Sequence, residues 1–224
     1  MGAFDNIDVI VNGTQDYAST LAEYGIVVLK PNIGWNNYVL TQGMMLKKNT
    51  KYVIRWNYDL EDADITVPKN CIIEFDGGGF KNGNISGENL SIYGNGAKLE
   101  ECQVHVTGNN CVFKDFSIYR LNKSTINHTV YTNTSLSIDG DNCVIENVES
   151  YYQSGPGMTI QGKNNKIIGC YIHDNITGII VGNKVRNITI SGCKIVNNNV
   201  ASSSGADGIL FQRTVIGAIV TDCY

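Results

Sequence analysis

Charge and proline are both scarce in this sequence. Asp, Glu, Lys and Arg make up 17% of its 224 residues, below the share of an average soluble domain, and there are only 3 prolines. The formal net charge of −4 gives no electrostatic footprint for a nucleic-acid partner. No apolar run reaches the roughly 18 to 20 residues of a membrane-spanning helix. The residues from Met1 to Asn6 hold no basic stretch leading into an apolar core, so no secretory leader is read there. The expectation is a protein that works without that export route, or one whose leader has been trimmed. No Cys-x-x-Cys pair or Cys/His cluster occurs, which argues against a metal site, and no cofactor is expected.

What the chain does have is glycine, 24 residues of it, and frequent asparagine. Both tolerate the left-handed backbone conformation, so the composition suits many short strands joined by tight turns. A repeat runs through these turns. Asn70-Cys-Ile-Ile-Glu-Phe returns as Asn89-Leu-Ser-Ile-Tyr, Asn110-Cys-Val-Phe-Lys, Asn142-Cys-Val-Ile-Glu, Asn165-Lys-Ile-Ile-Gly and Asn187-Ile-Thr-Ile-Ser. The spacings are 19, 21, 32, 23 and 22, with a polar insertion from Leu121 to Asn133 behind the long one. A second motif lies between these, with Val104 and Val106, Leu136 and Ile138, Met158 and Ile160, Ile179 and Val181, and Ile209 and Phe211 in alternation. Alternation means strands with one buried side. Helical solenoids need a 3.6-residue period, and leucine-rich repeats a leucine scaffold; neither is present. The prediction is an all-β, right-handed parallel β-helix with coils of about 22 residues.

Cys71, Cys111 and Cys143 share one position of the repeat, and Cys170, Cys193 and Cys223 another. They are expected to be reduced, buried thiols acting as small apolar fillers. Residues 1 to 64 are read as a non-repeating segment that caps the first coil or attaches to a partner, and residues 65 to 224 as the β-helix. Within the first segment Thr41 is placed as the N-cap of a short helix, and Lys51 to Leu60 as a strand. The sequence stops in mid-coil at Tyr224. That implies an N-terminal portion of a longer chain, or a partner covering the end.

The stretches Asn49-Thr-Lys-Tyr-Val-Ile-Arg-Trp-Asn-Tyr-Asp-Leu60 and Ile65-Thr-Val-Pro-Lys-Asn-Cys-Ile-Ile-Glu-Phe-Asp-Gly-Gly-Gly-Phe80 resemble the start of right-handed β-helix proteins of Bacteroides-group bacteria and their phages. Asn37-Tyr-Val-Leu-Thr-Gln-Gly-Met-Met45 resembles the phage-associated members, and the likeness covers roughly residues 37 to 90. The resemblance implies a tail fibre, tailspike or similar virion appendage. Such proteins are commonly trimeric, join other virion proteins through the N-terminal segment and are directed at a surface polysaccharide. The alternatives are a polysaccharide lyase or glycoside hydrolase on the same fold, and a secreted or cell-surface bacterial adhesin. The ordered motifs of the polygalacturonase family are absent, including its Gly-His-Gly, which weighs against that class within this chain. Whether the chain is an enzyme stays open, leaning towards not.

Registering one coil on the next with a shift of 23 puts Tyr151 beside Asp174 and Asn197, with Tyr152, Asn175 and Asn198 as the neighbouring ladder. Tyr rings stack on sugars and carboxylates accept from their hydroxyls, so Tyr151, Tyr152, Asp174, Asn197 and Asp207 form the candidate carbohydrate site. A carboxylate pair there would also suit hydrolysis. The competing reading is that Asn and Asp merely stabilise the turns. His105, His128 and His173 make no catalytic set by spacing, and Arg213 with Asp207 is the nearest approach to a lyase arrangement. Ile180 and Leu210, outward and apolar on adjacent coils, are expected to face another chain.

Overall fold

The computed structural model describes residues 25–30, 38–120, 134–198 and 207–224. Each coil follows one path, which the coil after Asn142 illustrates. Val144–Tyr151 is a single strand bent at Asn147, where φ is 51°, so it supplies a first face and then a second. A corner from residues 152 to 155 leads to Pro156–Gln161 on a third face, and a last corner returns the chain to Lys166–Ile168 on the first. All pairings between coils are parallel.

Equivalent residues stack as the repeat predicts. On the first face the inward ladder runs Val27, Tyr52, Ile73, Ile92, Phe113, Ile145, Ile167 and Ile190, all buried. On the second it runs Tyr58, Phe80, Leu99, Ile118, Ser150, Ile172 and Ile195. The third face carries the alternating pairs found in the sequence, from Val104 and Val106 to Ile179 and Val181, side by side in the core. Each fully buried aliphatic side chain contributes roughly 1.5–3 kcal/mol, and stacking lets short strands share one continuous core. In the final coil the same positions are open: Val220, next in register after Ile190, is 45% exposed.

The recurring asparagine has a physical reason. Asn49, Asn70, Asn89, Asn110, Asn142, Asn164 and Asn187 all stand at positive φ on the corner between third and first faces; Asn164, and not the Asn165 read in the repeat, holds that place, and Asn165 is buried one position further on, beside Cys143. Their amides also bond along the axis: Asn70 Nδ2 donates to Asn49 Oδ1 at 2.9 Å, Asn89 to Asn70 at 2.8 Å, and Asn187 to Asn164 at 3.1 Å. Asparagine thus serves both the strained backbone and the contact between coils. Cys71, Cys111 and Cys143 follow these corners, and Cys170, Cys193 and Cys223 follow the corner between first and second faces. All seven are free, and all but Cys223 are buried. Burial pushes the Cys102 thiol up to about 12, and bonding to Cys143 together with burial holds Cys111 protonated.

The coil path reaches further towards the N-terminus than the repeat suggested. Ile26–Leu29 pairs in register with Lys51–Ile54, and that strand with Ile72–Phe75. The boundary read at residue 65 therefore falls inside a strand, Asn57–Val67. The turn before the first strand is made by Gly25 at φ 71° in place of asparagine, so the marker used to find coils is missing there. The expected helix is a single 3-10 turn, Gln42–Met44. Thr41 precedes it, but its side chain makes no capping bond. Lys51 to Leu60 is two strands, Lys51–Ile54 and Asn57–Val67, separated at Arg55 and Trp56. His128 and the insertion from Leu121 to Asn133 lie outside the described residues.

Candidate functional site

The outer side of the second face carries two rows of side chains. One runs Lys98, Ser117, Glu149, Tyr171, Lys194; the other runs Glu100, Tyr119, Tyr151, His173, Val196. Parallel in-register pairing holds rungs roughly 4.8 Å apart, which is the distance at which flat rings stack. Tyr151 is accordingly sandwiched between Tyr119 (centroids 4.8 Å, planes 11° apart) and His173 (4.9 Å, 7°). Tyr171 lies against the same imidazole at 4.0 Å, and the Lys194 ammonium is 4.7 Å from the Tyr171 centroid.

Carboxylates pin this stack. His173 Nδ1 lies 2.6 Å from Asp174 Oδ2, and its Nε2 lies 3.4 Å from Glu149 Oε1. The Ser117 hydroxyl donates to Glu149 Oε2 at 2.8 Å, and the Tyr119 hydroxyl to Glu100 Oε2 at 3.3 Å. Burial, then the neighbouring Tyr119, raises the Tyr151 phenol to about 12; burial, then Glu100, raises Tyr119. Both phenols remain hydrogen-bond donors at neutral pH.

At the edge of this face the chain turns through Tyr152, Asp174 and Asn197, which occupy the same corner of three successive coils at φ 59°, 54° and 54°. Tyr152 is 38% exposed and meets Tyr151 edge-on at 5.1 Å. Behind the corner Gln153, Asn175 and Asn198 form an inward ladder. Asn175 Oδ1 accepts from Gln153 N at 3.0 Å, and Asn198 Oδ1 accepts from Asn175 N at 3.1 Å. The register expected from the sequence is off by one here. Tyr151 sits beside His173, 22 residues on, and Tyr152 beside Asp174. A one-residue slip sends each side chain to a different side, and it hid His173 from the candidate set. Tyr119 was hidden by the insertion, which lengthens its coil to 32 residues.

A groove of about 310 Å³ opens at the opposite edge of the same face, lined by Gly96, Asp115, Ser117, Asn147, Glu149 and Tyr171 among others. Asn147 Nδ2 donates to Asp115 Oδ1 at 2.7 Å and closes one wall.

The remaining expectations fall elsewhere. Asp207 is in line with Thr177 and Pro156 at the start of the third face, past the Tyr152 corner. Asp207 and Arg213 lie at opposite ends of the strand Ile209–Phe211. His105 is outward on the third face, in the row Thr66, Ser86, His105, Ser137, Thr159, Ile180, Leu210. Ile180 does point away from the core cluster, yet it is 1% exposed within a single chain, and Leu210 is half-buried. The two are neighbours in register on this outer row, where alternation places them. Among the described residues no group of three or more His, Cys, Asp or Glu is placed to hold a metal ion, and no helix is long and apolar enough to cross a membrane.

A family model described as a right handed beta helix region matches residues 113–224. The chain belongs to that family. The matched stretch begins within the strand Val112–Tyr119, so the β-helix family region takes in Tyr119, Tyr151, His173 and the Tyr152 corner. No curated protein matches the chain. The β-helix hosts unrelated activities, so the arrangement of side chains, and not the fold, has to carry any functional argument.

Proposed function

We propose that this β-helix is the glycan-recognising part of a virion appendage, a tail fibre or tailspike, and that it binds a bacterial surface polysaccharide without cleaving it. The observation that carries this reading is Tyr152. An aromatic residue occupies a left-handed corner where the following coils use Asp174 and Asn197, at a backbone cost of roughly 1 kcal/mol. Rule-breaking of this kind concentrates at functional positions. The exposed ring offers a stacking platform, and the Asp174 carboxylate and Asn197 amide follow it at one-coil intervals to meet sugar hydroxyls. The faces of Tyr151 are covered by Tyr119 and His173, so Tyr151 supports the platform instead of stacking on sugar.

Binding is favoured over hydrolysis by the place of His173. Glycosidases keep two carboxyl groups apart with room between them for the sugar and water. Here the imidazole fills the space between Glu149 and Asp174, touching both. The virion setting, a trimeric assembly and attachment through the N-terminal segment belong to the same proposal; the resemblance of residues 37 to 90 supports them.

Affinity electrophoresis through gels containing host capsular polysaccharides tests this reading. The protein is expected to be retarded, and Tyr152→Ala to weaken retardation about tenfold, the worth of one aromatic contact. Equal retardation of the two proteins, or none with any glycan, would overturn it. Release of reducing ends or unsaturated products would replace it with a hydrolase or lyase.

A further inference from the structure

The groove and the Tyr152 platform stand at the same level of the rod. The strand Val144–Tyr151 supplies Asn147 and Glu149 to the groove and leads directly into Tyr152; the next coil supplies Tyr171 to the groove, then His173 and Asp174 to the platform side. From Asn147 to Tyr152 is about 16 Å of extended chain, more than one sugar ring covers. Along the axis the groove row is bracketed by Lys98 on one side and Lys194 on the other. Within it the polar side chains are Asp115, Ser117, Asn147, Glu149 and Tyr171, with no cation among them.

We infer that the bound glycan crosses the rod at right angles to its axis, from the Tyr152 corner to a second subsite in the Asp115–Glu149 groove, and that this subsite takes neutral sugars in preference to uronate-bearing ones. The inference rests on the glycan-binding reading above and adds direction and chemical class to it. A uronate in the groove would set its carboxylate against those of Asp115 and Glu149 with no cation among the lining residues, whereas neutral hydroxyls can donate to both. The Ser117 and Asn147 bonds to these carboxylates leave other oxygen lone pairs open to such donors. The groove exists because the corner residue Gly96 has no side chain. Its φ is 84°, and nothing lies within 4 Å of where a Cβ would stand. Asparagine bears that conformation with the least strain, so Gly96→Asn should project a side chain into the groove at a small backbone cost.

Calorimetry on the full chain, with neutral and uronate oligosaccharides of increasing length, gives the test. Affinity for the neutral series should climb with length until both subsites are spanned, by about tenfold, and Gly96→Asn should erase that climb while short oligosaccharides bind as before. Tyr152→Ala should weaken every length. Uronate oligosaccharides should bind about tenfold more weakly than neutral ones, and Asp115→Asn, which keeps a left-handed-tolerant corner, should narrow the difference. Long oligosaccharides binding Gly96→Asn as tightly as wild type would overturn the second subsite. A wild-type preference for uronates would overturn the chemical class. If Gly96→Asn fails to fold, the Asp115→Asn comparison decides alone. Failure of wild type to bind any glycan would sink the glycan reading itself, and is distinguishable from loss of the length dependence alone.

Discussion

Replacing Asn175 by alanine should loosen the corner that carries the platform. Asn175 is fully buried, its Oδ1 accepting from Gln153 N and its Nδ2 donating to the Ser150 carbonyl at 3.0 Å and to Asn198 Oδ1 at 3.1 Å. Alanine leaves the Gln153 N–H and the Ser150 carbonyl without these partners in a dry interior, where an unmet group costs about 1–3 kcal/mol. Two such groups give a loss of about 4 kcal/mol. Asn175→Asp keeps the acceptor but sets a second carboxylate oxygen against the Ser150 carbonyl and Asn198 Oδ1 in the dry interior, so a loss at least as large is expected. Because solenoid stability is a sum of neighbouring terms, the damage should concentrate in adjoining coils. Native-state hydrogen exchange reads it: protection at the Gln153 amide should fall by roughly three orders of magnitude, while amides near Ile73 and Ile92 keep theirs. Urea unfolding should place both variants well below wild type. Unchanged exchange at Gln153, with a stability loss under about 1 kcal/mol in the alanine variant, would refute the inward ladder as the support of this corner.

Gly140→Ala should destabilise the chain by more than about 2 kcal/mol in thermal melts, since a Cβ there would stand 1.7 Å from the Gly108 carbonyl oxygen of the preceding coil. In the folded protein at pH 8 an aromatic disulfide reagent should react quickly with Cys223 and slowly with the six buried thiols, and all seven should react after unfolding. Tyr151 contributes to pH-dependent stability with a definite sign. Its folded-state pKa is raised from 10.0 to about 12, so the folded chain holds a proton that the unfolded chain releases, and stability present below pH 10 should fall between pH 10 and about 12. Ultraviolet titration should show one fewer late phenol in Tyr151→Phe, while Tyr58 and Tyr119, also raised by burial, still titrate late.

The coil period and the buried pairs of the third face were legible because two independent patterns, corner asparagine and alternation, agreed along the chain. The coil that begins at Ile26 was not, since Gly25 replaces asparagine as its turn. The site was legible in part. Tyr152, Asp174 and Asn197 do share a corner, but the sequence reading paired Tyr151 with Asp174 because it assumed a 23-residue shift where the coil is 22 long. Coil length varies through insertions at corners, so stacking partners cannot be found by subtraction of a fixed period. Tyr119 and His173 needed the actual register, and Asp115 and Glu149 needed the corner geometry that opens the groove.

Amide chemical-shift mapping tests the proposed glycan site on the second face most directly. On titration with a neutral oligosaccharide from a host surface polysaccharide, shifts should gather at Tyr152, Asp174 and Asn197, and extend through His173 and Tyr171 to Asn147. Shifts confined to the outer third face around Ser137 and Thr159, or no saturable shift with any host glycan, would contradict it.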